Sequence, residues 1–220
     1  YRREIKMMLE DKTAVIHGGG GADRMSLVRY YAAATLDGYI AESDDTLDWL
    51  LKYEGHYEGA DSDAEQGGYE SFYEGVGALV SGSTTYEWVL EHGSGWPYAG
   101  KPCWILSSRE LPKPDGEGVD VRIVSGQIPD LIDEMLDSAG ERDLWIVGGG
   151  NVASQFADHG LLDRLEVTIV PVVLGEGKPL FDRRLPGGPM QLIAARTTSS
   201  GMVGLTYEIR RPAESEPAQG

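Results

Sequence analysis

Cysteine occurs once in the 220 residues, so an internal disulfide is excluded, and Cys103 lies in the apolar run PCWIL, where a buried structural thiol is the expected role. Histidine occurs four times, as His17, His56, His92 and His159, with no paired spacing and no cysteine partner, so a zinc site has nothing to hold it. Asp61, Asp63 and Glu65 begin like a calcium loop, but Gln66 replaces the required glycine and Phe72 the bidentate glutamate. No metal site is expected. Basic residues are scarce: 19 Lys and Arg stand against 36 Asp and Glu, and the net charge of −17 opposes binding to nucleic acid or to an anionic membrane. A small soluble ligand is favoured instead. No apolar run approaches the roughly 20 residues that span a bilayer, and the opening YRREIKMMLEDK lacks the apolar core of a secretory signal, so the expected location is cytoplasmic. Neither a G-x-S-x-G elbow nor a P-loop lysine appears, which weakens hydrolase and phosphotransferase readings.

Glycine is plentiful, and its first cluster poses a question. DKTAVIHGGGGADRMSL sets a strand-like run before four glycines, as a dinucleotide-binding fold often begins. The helix that should follow is missing, and Asp23 stands where the third glycine of G-x-G-x-x-G belongs. Residues 1–24 are therefore read as an extension with a linker-like glycine run, Met25 as the natural start, 25–211 as one domain and 212–220 as a polar tail.

Strands are expected at Val28–Thr35, Ala78–Ser81, Pro102–Leu106, Val119–Val124, Leu144–Val147 and Arg164–Val173. Helices fall between them. Thr85–Glu91 follows the capping residues Ser83 and Thr84, and Ile128–Ser138 puts Ile128, Leu131, Ile132, Met135 and Leu136 on one face. Val152–His159 follows the second glycine cluster, IVGGGNV. Near the end, QLIAARTTSS and MVGLTYEIRR flank Gly201 without a helix and read as an antiparallel hairpin. The expected fold is α/β: a three-layer α-β-α arrangement with a mixed, mostly parallel sheet closed by that hairpin. The acidic stretch from Glu42 to Gly68 reads as a flap.

Three strand ends carry small polar or glycine residues: SGSTTYEW, ILSSR and IVGGGNV. Ligands of open α/β sheets bind at such ends, where helix N–H groups receive phosphate oxygens and Thr84, Thr85, Ser107 and Ser108 add hydroxyls. Together with YAAATLDGYIAESDDTLDWL and LEVTIVPVVLGEGKPLF, the order and spacing of these segments resemble the dihydrofolate reductase-like superfamily. The nearest branch resembles bacterial reductases related to the reductase domain of riboflavin biosynthesis, over about Ser26 to Arg211.

That resemblance implies NADPH bound across the strand ends, a small heterocyclic substrate of pterin or pyrimidine type, hydride transfer and a homodimer. It maps Ala33 and Ile40 beside the nicotinamide, and Gly82, Ser83, Thr84 and Thr85 to the phosphate-binding helix start. Ser107, Ser108 and Arg109 fall at the adenosine end, and Gly148, Gly149, Gly150, Asn151 and Val152 at the pyrophosphate loop, where the family commonly has a cis peptide between glycines. Thr168 and Trp49 fall to the substrate, and Asp37, Asp48 and Glu70 are the candidate proton donors. The chain departs from the family pattern where Ser83 replaces an arginine and Ala153 a tyrosine, and no acid aligns uniquely with the one that grips the folate ring. A non-catalytic nucleotide-binding or assembly protein on the same fold is the alternative.

Overall fold

A computed structural model describes residues 26–51, 69–198 and 201–209. The expected N-terminal extension, most of the flap, the rejected calcium loop up to Gly68 and the C-terminal tail lie outside the described residues.

Strand β1 (Val28–Thr35) is followed by a short β2 (Tyr39–Ala41), α1 (Asp48–Leu51) and α2 (Tyr69–Gly75). Then come β3 (Val76–Gly82), α3 (Ser83–His92), β4 (Pro102–Leu106), β5 (Asp120–Val124) and α4 (Ile128–Ala139). The remainder is β6 (Asp143–Val147), α5 (Gly150–Asp158), β7 (Arg164–Val170), β8 (Lys178–Pro179), β9 (Gln191–Thr197) and β10 (Val203–Glu208). The main sheet has the order β5-β4-β3-β6-β1-β7-β10-β9. Its first six strands run parallel, while β10 is antiparallel to both β7 and β9, so the C-terminal hairpin closes a mixed sheet as expected.

Alternation along the strands divides the core into two faces. Val28 and Tyr30 of β1, Leu144 and Ile146 of β6, and Ala78 and Val80 of β3 pack with α4 and α5. Their neighbours Tyr31, Trp145, Val147 and Leu79 pack on the other face with Phe72 of α2 and with Tyr86 and Val89 of α3. This is the three-layer fold. Helix α4 buries Ile128, Ile132 and Met135 from the stripe legible in sequence, and Gly140, at φ 65°, caps its end.

Several boundaries differ from expectation, most by one or two residues. Strand β7 stops at Val170, because Pro171 has no N–H for the ladder. Strand β3 runs two residues further at its start, and α5 begins at Gly150 within the glycine cluster. Strands β2 and β8, which pair with each other in a separate small sheet, were not anticipated.

Candidate active site at the sheet's switch point

Strands β3 and β6 are neighbours, yet their connections diverge. Helix α3 leads from β3 to β4 on one side, and α5 leads from β6 across β1 to β7 on the other. Such a divergence opens a crevice at the carboxyl ends of the strands, the place where open α/β sheets bind ligands. Both helices begin there. Their N-caps are glycines, Gly82 and Gly149, and neither start has a side-chain cap. The first N–H groups of each helix therefore have no side-chain cap, and the positive ends of two helix dipoles lie side by side, Val152 against Gly82.

The loop glycines have different reasons to be glycine. Gly149 has φ 72° and ψ 90°, a conformation that disfavours any Cβ, while the nearest atoms a Cβ would meet lie 3.8 Å away, so its constraint is conformational. Gly150 is constrained by packing: a Cβ there would stand 2.5 Å from the Pro179 carbonyl oxygen and 2.6 Å from that of Leu180. The expected glycine cis peptide is not found, since every described peptide bond is trans; the loop turns instead through the positive φ of Gly148 and Gly149. Gly148 packs against the side chain of Thr85, and Val152 against Gly82, which locks the two helix starts together. The Asn151 amide donates to Asp182 at 2.6 Å and accepts from Gln155 at 2.7 Å, leaving its backbone N–H as its contribution to the crevice. Ala153 is fully buried in the core face of α5, which is a packing role.

The third loop, after β4, lies beside α3. The Ser107 hydroxyl accepts from the Arg109 N–H at 3.0 Å and shapes the turn, while Ser108 is exposed. Arg109 reaches back to α3 and grips Glu87 with two bonds, Nη1–Oε1 at 3.1 Å and Nη2–Oε2 at 2.6 Å. That carboxylate raises the guanidinium pKa above its already high ordinary value, so Arg109 stays charged.

On the face shared with α2 and α3, Ala33 of β1 stands in register with Thr168 of β7, and Thr168 with Gly204 of β10. Small residues thus stand side by side on three neighbouring strands. Trp49 of α1 is packed alongside with Val170 and Met202, is only 3 % exposed, and its indole N–H has no hydrogen-bond partner. The Glu42 carboxylate holds the start of that helix by accepting from the Trp49 backbone N–H at 3.2 Å. Ile40 packs against the edge of the core formed with α4 and α5.

The three candidate acids separate. Asp37 accepts the Thr35 hydroxyl at 2.6 Å and the N–H groups of Gly175 at 2.7 Å and Leu174 at 3.2 Å. These bonds, led by that from Thr35, lower its pKa below the ordinary 3.8. Asp37 thus clasps the turn after β1 to the loop after β7. The clasp is extended where Leu180 N–H donates to Gly38 and the Tyr39 hydroxyl to Gly175. Asp48 opens α1 on its exposed side. Glu70 belongs to α2, with its side chain outside the described residues.

Comparison with known proteins adds a family to this geometry. Residues 96–203 match the model of the RibD C-terminal domain. The uncharacterized protein YwjB of Bacillus subtilis (strain 168) is 32% identical over 152 residues, covering 69% of this chain and 80% of YwjB. The chain belongs to the RibD C-terminal domain family. Among solved structures, a Shewanella sp. PV-4 protein provisionally named for riboflavin biosynthesis superposes on this chain with a TM-score of 0.69 and 30% identity, over 84% of this chain and 99% of that one. Dihydrofolate reductase from Enterococcus faecalis, complexed with NADP(H) and RAB-propyl, shares the fold at 19% identity and TM-score 0.52, over 84% of this chain and 96% of its own. Among the described residues, no group of three His, Cys, Asp or Glu is placed to hold a metal ion, and no helix is long and apolar enough to cross a membrane.

Sequence reasoning missed Glu87, Gly204 and Glu42. Glu87 had a detectable signal, being one turn beyond Ser83 on the same helix face. Gly204 and Glu42 act through strand register and a local cap, and neither leaves a pattern in the linear sequence.

Proposed function

We propose that the chain is an NADPH-dependent reductase that delivers hydride to an electrophilic C=N or C=O carbon of a small heterocycle of pyrimidine or pterin type. The observation that carries this reading is the meeting of two helix N-termini without side-chain caps at the β3/β6 switch point, an arrangement suited to a pyrophosphate. Backbone N–H groups of Gly82–Thr85 and Gly149–Val152 would hold the phosphates, and Ser107, Ser108 and Arg109 the adenosine ribose. The nicotinamide, when bound, supplies the hydride.

The chain's own residues position and shield. In this reading Ala33, Thr168 and Gly204, in register on three neighbouring strands, would underlie the stacked rings, with Ile40 beside the nicotinamide. A buried indole N–H without a partner forgoes roughly 1–3 kcal/mol, so the N–H of Trp49 is the donor we assign to an acceptor atom of the substrate. Asp48 and Glu70 remain the candidates for proton delivery through water. In the same reading, residues 25–211 form the reductase domain, with 1–24 as a separate extension and 212–220 as a tail, and the protein works as a cytoplasmic homodimer.

The test is titration with NADPH followed by a turnover panel of pterins, ribityl-pyrimidines and quinonoid compounds. Saturable binding with NADPH oxidation on a heterocycle is expected. Stoichiometric binding with no oxidation across the panel would favour the non-catalytic alternative, and absence of binding would remove the assignment of the crevice.

A further inference from the structure

We propose that Glu87 is a cofactor-specificity residue: by occupying the fork of Arg109 it competes with the 2′-phosphate of the dinucleotide and restrains the preference for NADPH over NADH. The inference rests on the reading above, in which the loop after β4 receives the adenosine ribose.

The geometry is that of a competitor. Both Nη atoms of Arg109 are engaged by both carboxylate oxygens of Glu87, at 3.1 and 2.6 Å. That end-on fork is also what an arginine presents to a phosphate, so the two anions need the same donors. The pair is open to solvent, with 57% of the Arg109 side chain and 42% of the Glu87 side chain exposed, and an ion pair in water is weak enough to be exchanged.

Position strengthens the case. Ser83 and Glu87 are one turn apart on the same face of α3, so Arg109 is drawn across from the neighbouring loop onto the face that begins at the helix start. A cation is thereby supplied to that face, where residue 83 itself is an uncharged serine. The carboxylate that brings it there also neutralises it. A phosphate monoester carries about −1.5 to −2 charges near neutral pH against −1 for Glu87, so a 2′-phosphate can displace the carboxylate, at the loss of the existing pair. NADH has no such group and leaves the pair closed. Glu87 therefore acts on one cofactor and is silent toward the other.

The experiment is calorimetric titration of the full chain with 2′,5′-ADP and 5′-ADP, in the wild type, Glu87→Gln, Arg109→Ala and the double variant. Glu87→Gln should tighten 2′,5′-ADP about fivefold and change 5′-ADP by less than about twofold, the scale of one exposed ion pair. Arg109→Ala should weaken 2′,5′-ADP by about tenfold while sparing 5′-ADP, and in that background Glu87→Gln should gain less than about twofold. A Glu87→Gln variant that binds 2′,5′-ADP no better than the wild type, or that alters both probes equally, overturns the competition while leaving the nucleotide site intact; it would mean that the pair is a structural strap. Binding of both probes that ignores Arg109→Ala overturns it as well. If neither probe binds the wild type, the underlying reading fails together with the inference.

Discussion

Gly149 and Gly150 are adjacent, and each tolerates no side chain for its own reason, so alanine at each should do different damage. In Gly150→Ala the new Cβ would lie 2.5 Å from the Pro179 oxygen, 2.6 Å from the Leu180 oxygen and 2.9 Å from the Leu180 carbonyl carbon. All three are backbone atoms and cannot rotate away, so either α5 or the β8 segment must shift. Overpacking of this kind costs about 1–3 kcal/mol. Alanine's better helix propensity offsets at most about 1 kcal/mol of that. A net loss of about 1–2 kcal/mol corresponds to a melting temperature lower by roughly 2–8 °C for a chain of this size. Gly149→Ala meets no atom nearer than 3.8 Å, but must hold φ 72° with a Cβ, at about 1–2 kcal/mol. Relaxing that strain turns the first N–H groups of α5 away from the crevice. Thermal melts should therefore show similar losses for the two variants, whereas NADPH titration in the cold, with both folded, should separate them. We expect Gly149→Ala to lose at least about tenfold in affinity and Gly150→Ala less than about threefold, because one oriented charge-assisted hydrogen bond accounts for a factor of ten or more. A Gly150→Ala protein as stable as the wild type, or a Gly149→Ala protein with unchanged affinity, would refute the division of roles.

Three further outcomes follow from the same structure. The folded pKa of Asp37 is depressed, so its stabilisation is present above the ordinary carboxyl value of 3.8 and is lost as pH falls through the lower folded value; the urea-midpoint gap between wild type and Asp37→Asn should be full near neutrality and close in acid, and a gap that persists in acid would contradict the clasp. At the opposite end of the sheet, Arg29 bridges Asp143 at 2.9 Å and Glu166 at 2.6 Å. Because Glu166 is buried, Arg29→Ala should destabilise by about 3–5 kcal/mol in urea unfolding; a loss under about 1 kcal/mol would mean that water already solvates the pair. Burial pushes the Cys103 thiol up to about 12, so it should resist a disulfide reagent at mildly alkaline pH until guanidinium unfolds the chain, and rapid labelling of the native protein would contradict its burial.

Elements whose pattern is local were legible in the sequence. Strands β1 and β4 have the bounds that their apolar runs indicate, and the stripe on Ile128, Ile132 and Met135 placed α4, because each follows from nearest-neighbour periodicity. The glycine cluster was legible as the loop before α5, yet its three glycines look alike in sequence; only the tertiary structure distinguishes a strained φ at Gly149 from a close approach at Gly150. The β2–β8 pair joins residues more than 130 positions apart through two or three residues on each side, too short a run for any period to show. Asp37 invites two roles from sequence, and its bonds to Leu174 and Gly175, more than 130 positions away, are a contact that no local pattern announces. The spacing of Glu87 from Ser83 is visible in sequence, but its pairing with Arg109 is not, because an exposed ion pair between two elements leaves no local pattern.

The central claim is that the two helix starts at the switch point form one dinucleotide site, and its most direct test is a crystal structure of the full chain with NADPH. The pyrophosphate should lie within hydrogen-bonding distance of backbone N–H groups from both Gly82–Thr85 and Gly149–Val152, with the nicotinamide over the row of Ala33, Thr168 and Gly204. A cofactor bound elsewhere, or one whose phosphates touch neither helix start, would contradict the account.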